Sequence, residues 1–188
     1  CRRLHDALSK RVDCDIIQRD KVKESFKIKL LNKVIKSGRK DLETFTNPLW
    51  SNLGERDLSQ YDLINLHWVS SYFSFQDIVK YKNKNFVWTL HDMYPFLGGV
   101  HYSRDLHNLN PYMQALETYF KNYKKKIFDR LSAEKFKFVV LSPWMKDVME
   151  DTASYLNRFD KIVIPNGISY DPSLGTKRQF GLLPDSGH

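Results

Sequence analysis

The residues of this chain best suited to chemistry fall in four short places: His67-Trp68, His91-Asp92, Ser142-x-Trp144 and Asn166-Gly167. Each follows a β-rich apolar run. His91-Asp92 is the first candidate, an ionisable pair placed directly after Phe86-Val87-Trp88-Thr89-Leu90. A histidine titrates near neutrality, so it can exchange a proton or hydrogen-bond a polar ligand in either form. In an open parallel sheet the strand carboxyl ends share one edge, and ligands bind in the crevice outside it. Four polar or aromatic strand ends in one chain therefore predict a cleft.

Plainer readings stand beside these. A strand-end histidine bonded to a backbone carbonyl would look like His91, and His67 beside Trp68 can simply pack. His91, Asp92, His101 and His107 match no zinc spacing, so no metal site is predicted. Trp68, Trp88 and Trp144 read as core or cleft walls rather than a surface for stacking bases. Gly98-Gly99 either supplies loop conformations or lets the backbone approach a ligand closely. No G-x-G-x-x-G, Walker loop, G-x-S-x-G or H-E-x-x-H is present.

The elements that must hold these residues alternate. Residues 2–11 read as a helix, and Val12 to Gln18 as a loose strand. Val22, Phe26, Leu30 and Val34 recur every four residues, which predicts an amphipathic helix over 21–36 that Gly38 ends. Residues 61–68 are a strand, 75–81 a short helix and 86–90 a strand expected to be buried on both faces. A long loop leads to a helix over 112–131, and 136–141 is a further strand. Ser142-Pro143 opens the next helix with an N-cap and a proline at N1. Residues 161–165 form the last strand, closed by the turn pair Asn166-Gly167. Strands alternating with helices predict an α/β, Rossmann-like, doubly wound parallel sheet.

Composition adds boundaries. At 188 residues with 41% hydrophobic and 28% charged residues, the chain suits one sizeable core. No apolar run is long enough to span a membrane. Cys1 and Cys14 lie in no redox or metal spacing, which suits free thiols in a reducing cytosol, with Cys14 a buried apolar group. Between Arg19 and Lys40, nine Lys/Arg face two acidic residues, so this segment holds +7 of the net +8. Its lysines form either a solvated helix face or a contact with an anionic membrane surface through residues 21–36. Nucleic acid is disfavoured, because aromatics are not interleaved with the lysines.

With DLINLHWVS (62–70), FVWTLHDMYPFLGGVHYS (86–103), FVVLSPWMKDVM (138–149) and KIVIPNGIS (161–169) assembled, the chain resembles the N-terminal domain of family 4 glycosyltransferases of GT-B fold. The similarity is to members that build bacterial capsule, exopolysaccharide and lipopolysaccharide. It implies a retaining, metal-independent transferase without cofactor, moving sugar from a nucleotide-sugar donor to a glycan or lipid-linked acceptor at the cytoplasmic membrane face. By the same resemblance His91 would hydrogen-bond the transferred sugar, and Asp92 would orient His91 or meet acceptor. From their places at the strand ends, His67, Trp68, Ser142 and Trp144 would line the substrate cleft. Gly98, Gly99, His101 and Tyr102 would roof the acceptor side, and Asn166 and Gly167 would lead to the interdomain linker. Residues 1–169 then form the acceptor-side domain without its first strand, and 170–188 begin a linker toward an absent donor-binding domain. Such a fragment should not catalyse transfer alone. The segment RDLHNLNPYM departs from the family, whose members often carry cysteines after HYS. The rival expectation is a non-catalytic α/β module that binds a glycan, lipid or protein.

Overall fold

A computed structural model of the protein describes residues 2–17, 33, 35, 44–50, 53 and 56–167. Helix α1 (Arg2–Leu8) precedes an alternating run: β1 (Leu63–Leu66), α2 (Phe75–Lys80), β2 (Asn85–Leu90), α3 (Pro111–Phe128), β3 (Phe136–Val140), α4 (Pro143–Thr152) and β4 (Lys161–Val163). Short 3-10 turns occupy Ser103–Asn108 and Ser154–Leu156. The four strands form one parallel sheet in the order β1-β2-β3-β4. The α/β, Rossmann-like class expected from the sequence is therefore what the chain adopts.

The register explains why these strands pair as they do. Leu66 faces Trp88 across β1–β2, and Trp88 faces Phe138 across β2–β3. Ile64, Leu66, Phe86, Trp88, Leu90, Phe136, Phe138 and Val140 are all buried. Their large side chains meet Phe75, Phe128 and Phe159 in an aromatic core with many edge-to-face contacts. Phe128 packs on Phe136 at 5.8 Å and 89°, and Phe138 on Phe159 at 5.9 Å and 87°. Such geometry sets positive ring edges against negative faces. β2 is the strand buried on both faces; β1 and β3 alternate, and β4 is largely exposed.

Three helices start where local chemistry dictates. Ser74 and Asp77 form a reciprocal capping box on α2, with Ser74 N donating to Asp77 at 2.7 Å. Asn110 caps α3 by accepting from Met113 N at 2.9 Å, with Pro111 next. Ser142 caps α4 by accepting from Met145 N at 3.1 Å, with Pro143 at N1 as expected.

The N-terminal expectations fare less well. Residues 13–17 form no strand, and α1 ends at Leu8 with none of its residues buried. Val12, Ile16 and Ile17 are exposed, so the alternation there has no buried face to satisfy. A polar contact ties this stretch to the domain, Tyr61 donating to Asp15 at 2.7 Å. Cys14 is only partly buried. Most of the basic helix predicted over 21–36 lies outside the described residues. At its two described positions, both helical, Lys33 is exposed and Ile35 belongs to the core, as the pattern requires. The linker expected over 170–188 also lies outside them. Among the described residues, no helix is long and apolar enough to cross a membrane.

Candidate functional site

β1, β2 and β3 end side by side, about 5 Å from strand to strand. The sheet ladder thereby sets His67, His91 and Ser142 along one edge. A cleft at this edge is lined by His67, Trp68, Ser70, Thr89, His91 and Asp92, among others. Its enclosed part is about 10 Å³, the space of one water, and the rest opens to solvent.

Two imidazoles meet in the cleft. His67 Nδ1 lies 3.0 Å from His91 Nε2, with ring centroids 5.3 Å apart. One nitrogen must donate and the other accept, so the bond requires at least one neutral ring. Burial lowers the pKa of His67 to about 4, and the nearby His91 adds to the shift. Burial also lowers the pKa of His91, although Asp92 pulls the other way. Both rings are neutral at pH 7. Among the described residues, neither His67 Nε2 nor His91 Nδ1 has a hydrogen-bond partner.

The sign of the resulting pH dependence follows. An unfolded histidine titrates near 6.5 and folded His67 near 4. Between those values the unfolded chain binds more protons, so stability falls as pH drops from about 6.5 to about 4. His67→Gln is expected to shrink this loss, as read from urea midpoints at pH 7.5 and 4.5. An equal loss in both proteins would contradict the assignment.

Of the two roles expected for Asp92, orienting His91 is not the one its hydrogen bonds serve. Asp92 is buried, and its Oδ2 accepts from His101 Nδ1 at 2.6 Å while Oδ1 accepts from Tyr94 N at 3.0 Å. It therefore orients His101 rather than His91. His101 is 1% exposed, and its Nε2 reaches Thr46 Oγ1 at 2.9 Å. Thr46 N in turn donates to Gly99 O at 2.8 Å, and Phe45 bridges Val100. These contacts pin the loop after β2 to residues 45–46.

Gly98 and Gly99 are buried parts of that same attachment. The backbone N–H groups of Gly98, Gly99 and Val100 all donate to the Glu117 carboxylate on α3. A Cβ at Gly98 would run into the backbone carbonyl of Glu117, and one at Gly99 into the Phe45 ring. The close approach that these glycines permit is to the protein's own helix, and their N–H groups are already occupied. Tyr102 is half-buried beneath the Arg104 guanidinium, 5.4 Å from the ring centroid.

The remaining predicted residues divide. Trp68 lines the cleft and is 54% exposed, and Trp88 is a buried core residue that also reaches the cleft. Ser142 acts as a helix cap, and Trp144 stands 60% exposed in the first turn of α4. Asn166 and Gly167 are exposed beyond β4, and nothing approaches Gly167. The structure thus brings His67, Trp68 and His91 together and leaves Asn166 and Gly167 apart from them.

Glu117 and Lys124 were not anticipated. Lys124 is 0% exposed, and its Nζ donates to Tyr94 O at 2.5 Å and Leu97 O at 2.9 Å. Burial drives its pKa well below the ordinary lysine value, against the opposing pull of Glu117 and Asp92. A signal existed. Met113, Glu117, Phe120, Lys124 and Ile127 occupy the inward stripe of α3, so two opposite charges interrupt an apolar face seven residues apart. Thr46 carried no comparable signal.

No family model, curated protein or solved structure matches this chain. Among the described residues, no group of three or more His, Cys, Asp or Glu could hold a metal ion.

Proposed function

We propose that this domain is the acceptor-side half of a retaining glycosyltransferase. It would move sugar from a nucleotide-sugar to a glycan or lipid-linked acceptor in cell-surface polysaccharide synthesis, at the inner face of the cytoplasmic membrane. The observation that carries the reading is His91: a neutral, half-buried imidazole at the carboxyl end of β2, opening on a polar cleft. A neutral imidazole held at one nitrogen by His67 can bond a sugar hydroxyl with the other. Held rigidly, it can favour the transition state over the ground state. The donor diphosphate would be bound elsewhere, because the described residues of the cleft lining include no Lys or Arg.

The test is transfer of labelled sugar by protein made from the complete reading frame. Incorporation with the donor's anomeric configuration retained is the expected result. Glycan binding without incorporation from any donor would favour a non-catalytic module.

A further inference from the structure

Trp68 is an exposed indole with an unusually well-supported back. One side of it packs on the His101 ring at 5.4 Å and 34°. His101 stacks in turn on Tyr94 at 4.8 Å and 21°, and Lys124 Nζ lies 3.6 Å from the Tyr94 centroid. Every layer beneath Trp68 is pinned. Asp92 and Thr46 hold His101, and the Tyr94 backbone is held at N by Asp92 and at O by Lys124. The column runs from a buried amine to a solvent-facing ring, which limits the freedom that Trp68 would lose on binding.

Polar atoms beside this ring complete a site. His67 Nε2 and His91 Nδ1 carry no partner among the described residues, and Ser70 adds a hydroxyl to the lining. The cleft they line has room for about one water, the size of one hydroxyl. Among the described residues of the lining there is no lysine or arginine, and Asp92 is the one acidic residue. A phosphate or a sugar acid would meet no lysine or arginine among these described residues, and the Asp92 carboxylate would repel it. An aromatic face attracts the slightly positive C–H groups of a saturated ring, while hydroxyls at the rim need donors and acceptors.

We propose that Trp68 is a stacking platform for an uncharged pyranose ring, whose rim hydroxyls bond the free nitrogen of His67 or of His91. This deepens the acceptor-site reading and rests on it for the ring's biological identity. The ring recognised is neutral, so acidic sugars and phosphosugars are poor occupants.

The test labels the indole nitrogens and follows the four Trp Nε1–H signals by NMR while methyl glucoside, methyl galactoside or methyl N-acetylglucosaminide is added. The Trp68 signal is expected to shift saturably with at least one of them. Methyl glucuronoside should bind about tenfold more weakly than methyl glucoside, through repulsion by Asp92. Trp68→Ala should weaken binding about tenfold and Trp68→Phe far less, with the buried Trp88 signal reporting an intact fold. A silent Trp68 signal, equal binding of the glucuronoside, or a response to AMP but to no glycoside would each overturn the proposal. Sugar binding at Trp68 without transfer would sink the transferase reading alone. Transfer with a silent Trp68 would sink this inference alone.

Discussion

If the domain serves sugar transfer as proposed, His91→Ala is expected to lower turnover by about 10²- to 10³-fold, the usual effect of deleting one preorganised hydrogen bond to a transition state. KM should change little, because the bond strengthens only as the transition state forms. The fold should survive, since His91 is only half-buried and its partner His67 can turn its free nitrogen to water. Steady-state rates, with circular dichroism as a control, check this. Turnover within about threefold of the wild type, well short of one hydrogen bond's worth, would remove His91 from the mechanism.

Glu117→Ala carries the largest expected effect on stability. The carboxylate accepts from three consecutive backbone N–H groups, those of Gly98, Gly99 and Val100. All three lie in buried chain, where an unmet donor costs about 1–3 kcal/mol. Lys124, on the same helix face, would also lose the neighbour that favours its charged form. Three such donors, even near the low end of that cost, predict a loss of at least about 3 kcal/mol, a large fraction of what holds a typical domain folded, about 5–15 kcal/mol. Urea denaturation of the 188-residue chain measures it. A loss below about 1 kcal/mol would mean that water replaces the carboxylate, and that the loop is not clamped as described.

These two predictions touch residues of very different legibility. His91 could be found because an apolar strand stops abruptly at an ionisable residue, and the sheet then places it at the ligand edge. The strands β1 to β3 and the capped helices α3 and α4 were legible for similar reasons: their burial and capping rules are local. The roles of Asp92, Gly98 and Gly99 were not. Each is decided by a partner far along the chain, such as His101 for Asp92 and Glu117 for the glycines. The family resemblance implied that Asp92 orients His91 or meets acceptor, whereas folding turns its carboxylate toward His101 and the Tyr94 N–H. The strand expected over 12–18 failed because alternation is only a local pattern, and a strand needs a paired neighbour as well.

The pairing of His67 with His91 lies between these cases. Both were visible as strand ends, and adjacent strands in a parallel sheet imply neighbouring ends. Their 3.0 Å contact, and the neutrality that follows from burial, needed the fold.

The most direct test of the account is sugar transfer by protein expressed from the complete reading frame. Labelled nucleotide-sugars are supplied with glycan and lipid-linked acceptors, and the new glycosidic bond is examined by proton NMR. The account predicts incorporation from a nucleotide-sugar donor, with the product's anomeric configuration the same as the donor's. Inverted product would contradict the retaining mechanism. Binding of glycan with no incorporation from any donor would contradict transfer itself, leaving the cleft of His67, Trp68 and His91 as a site of recognition.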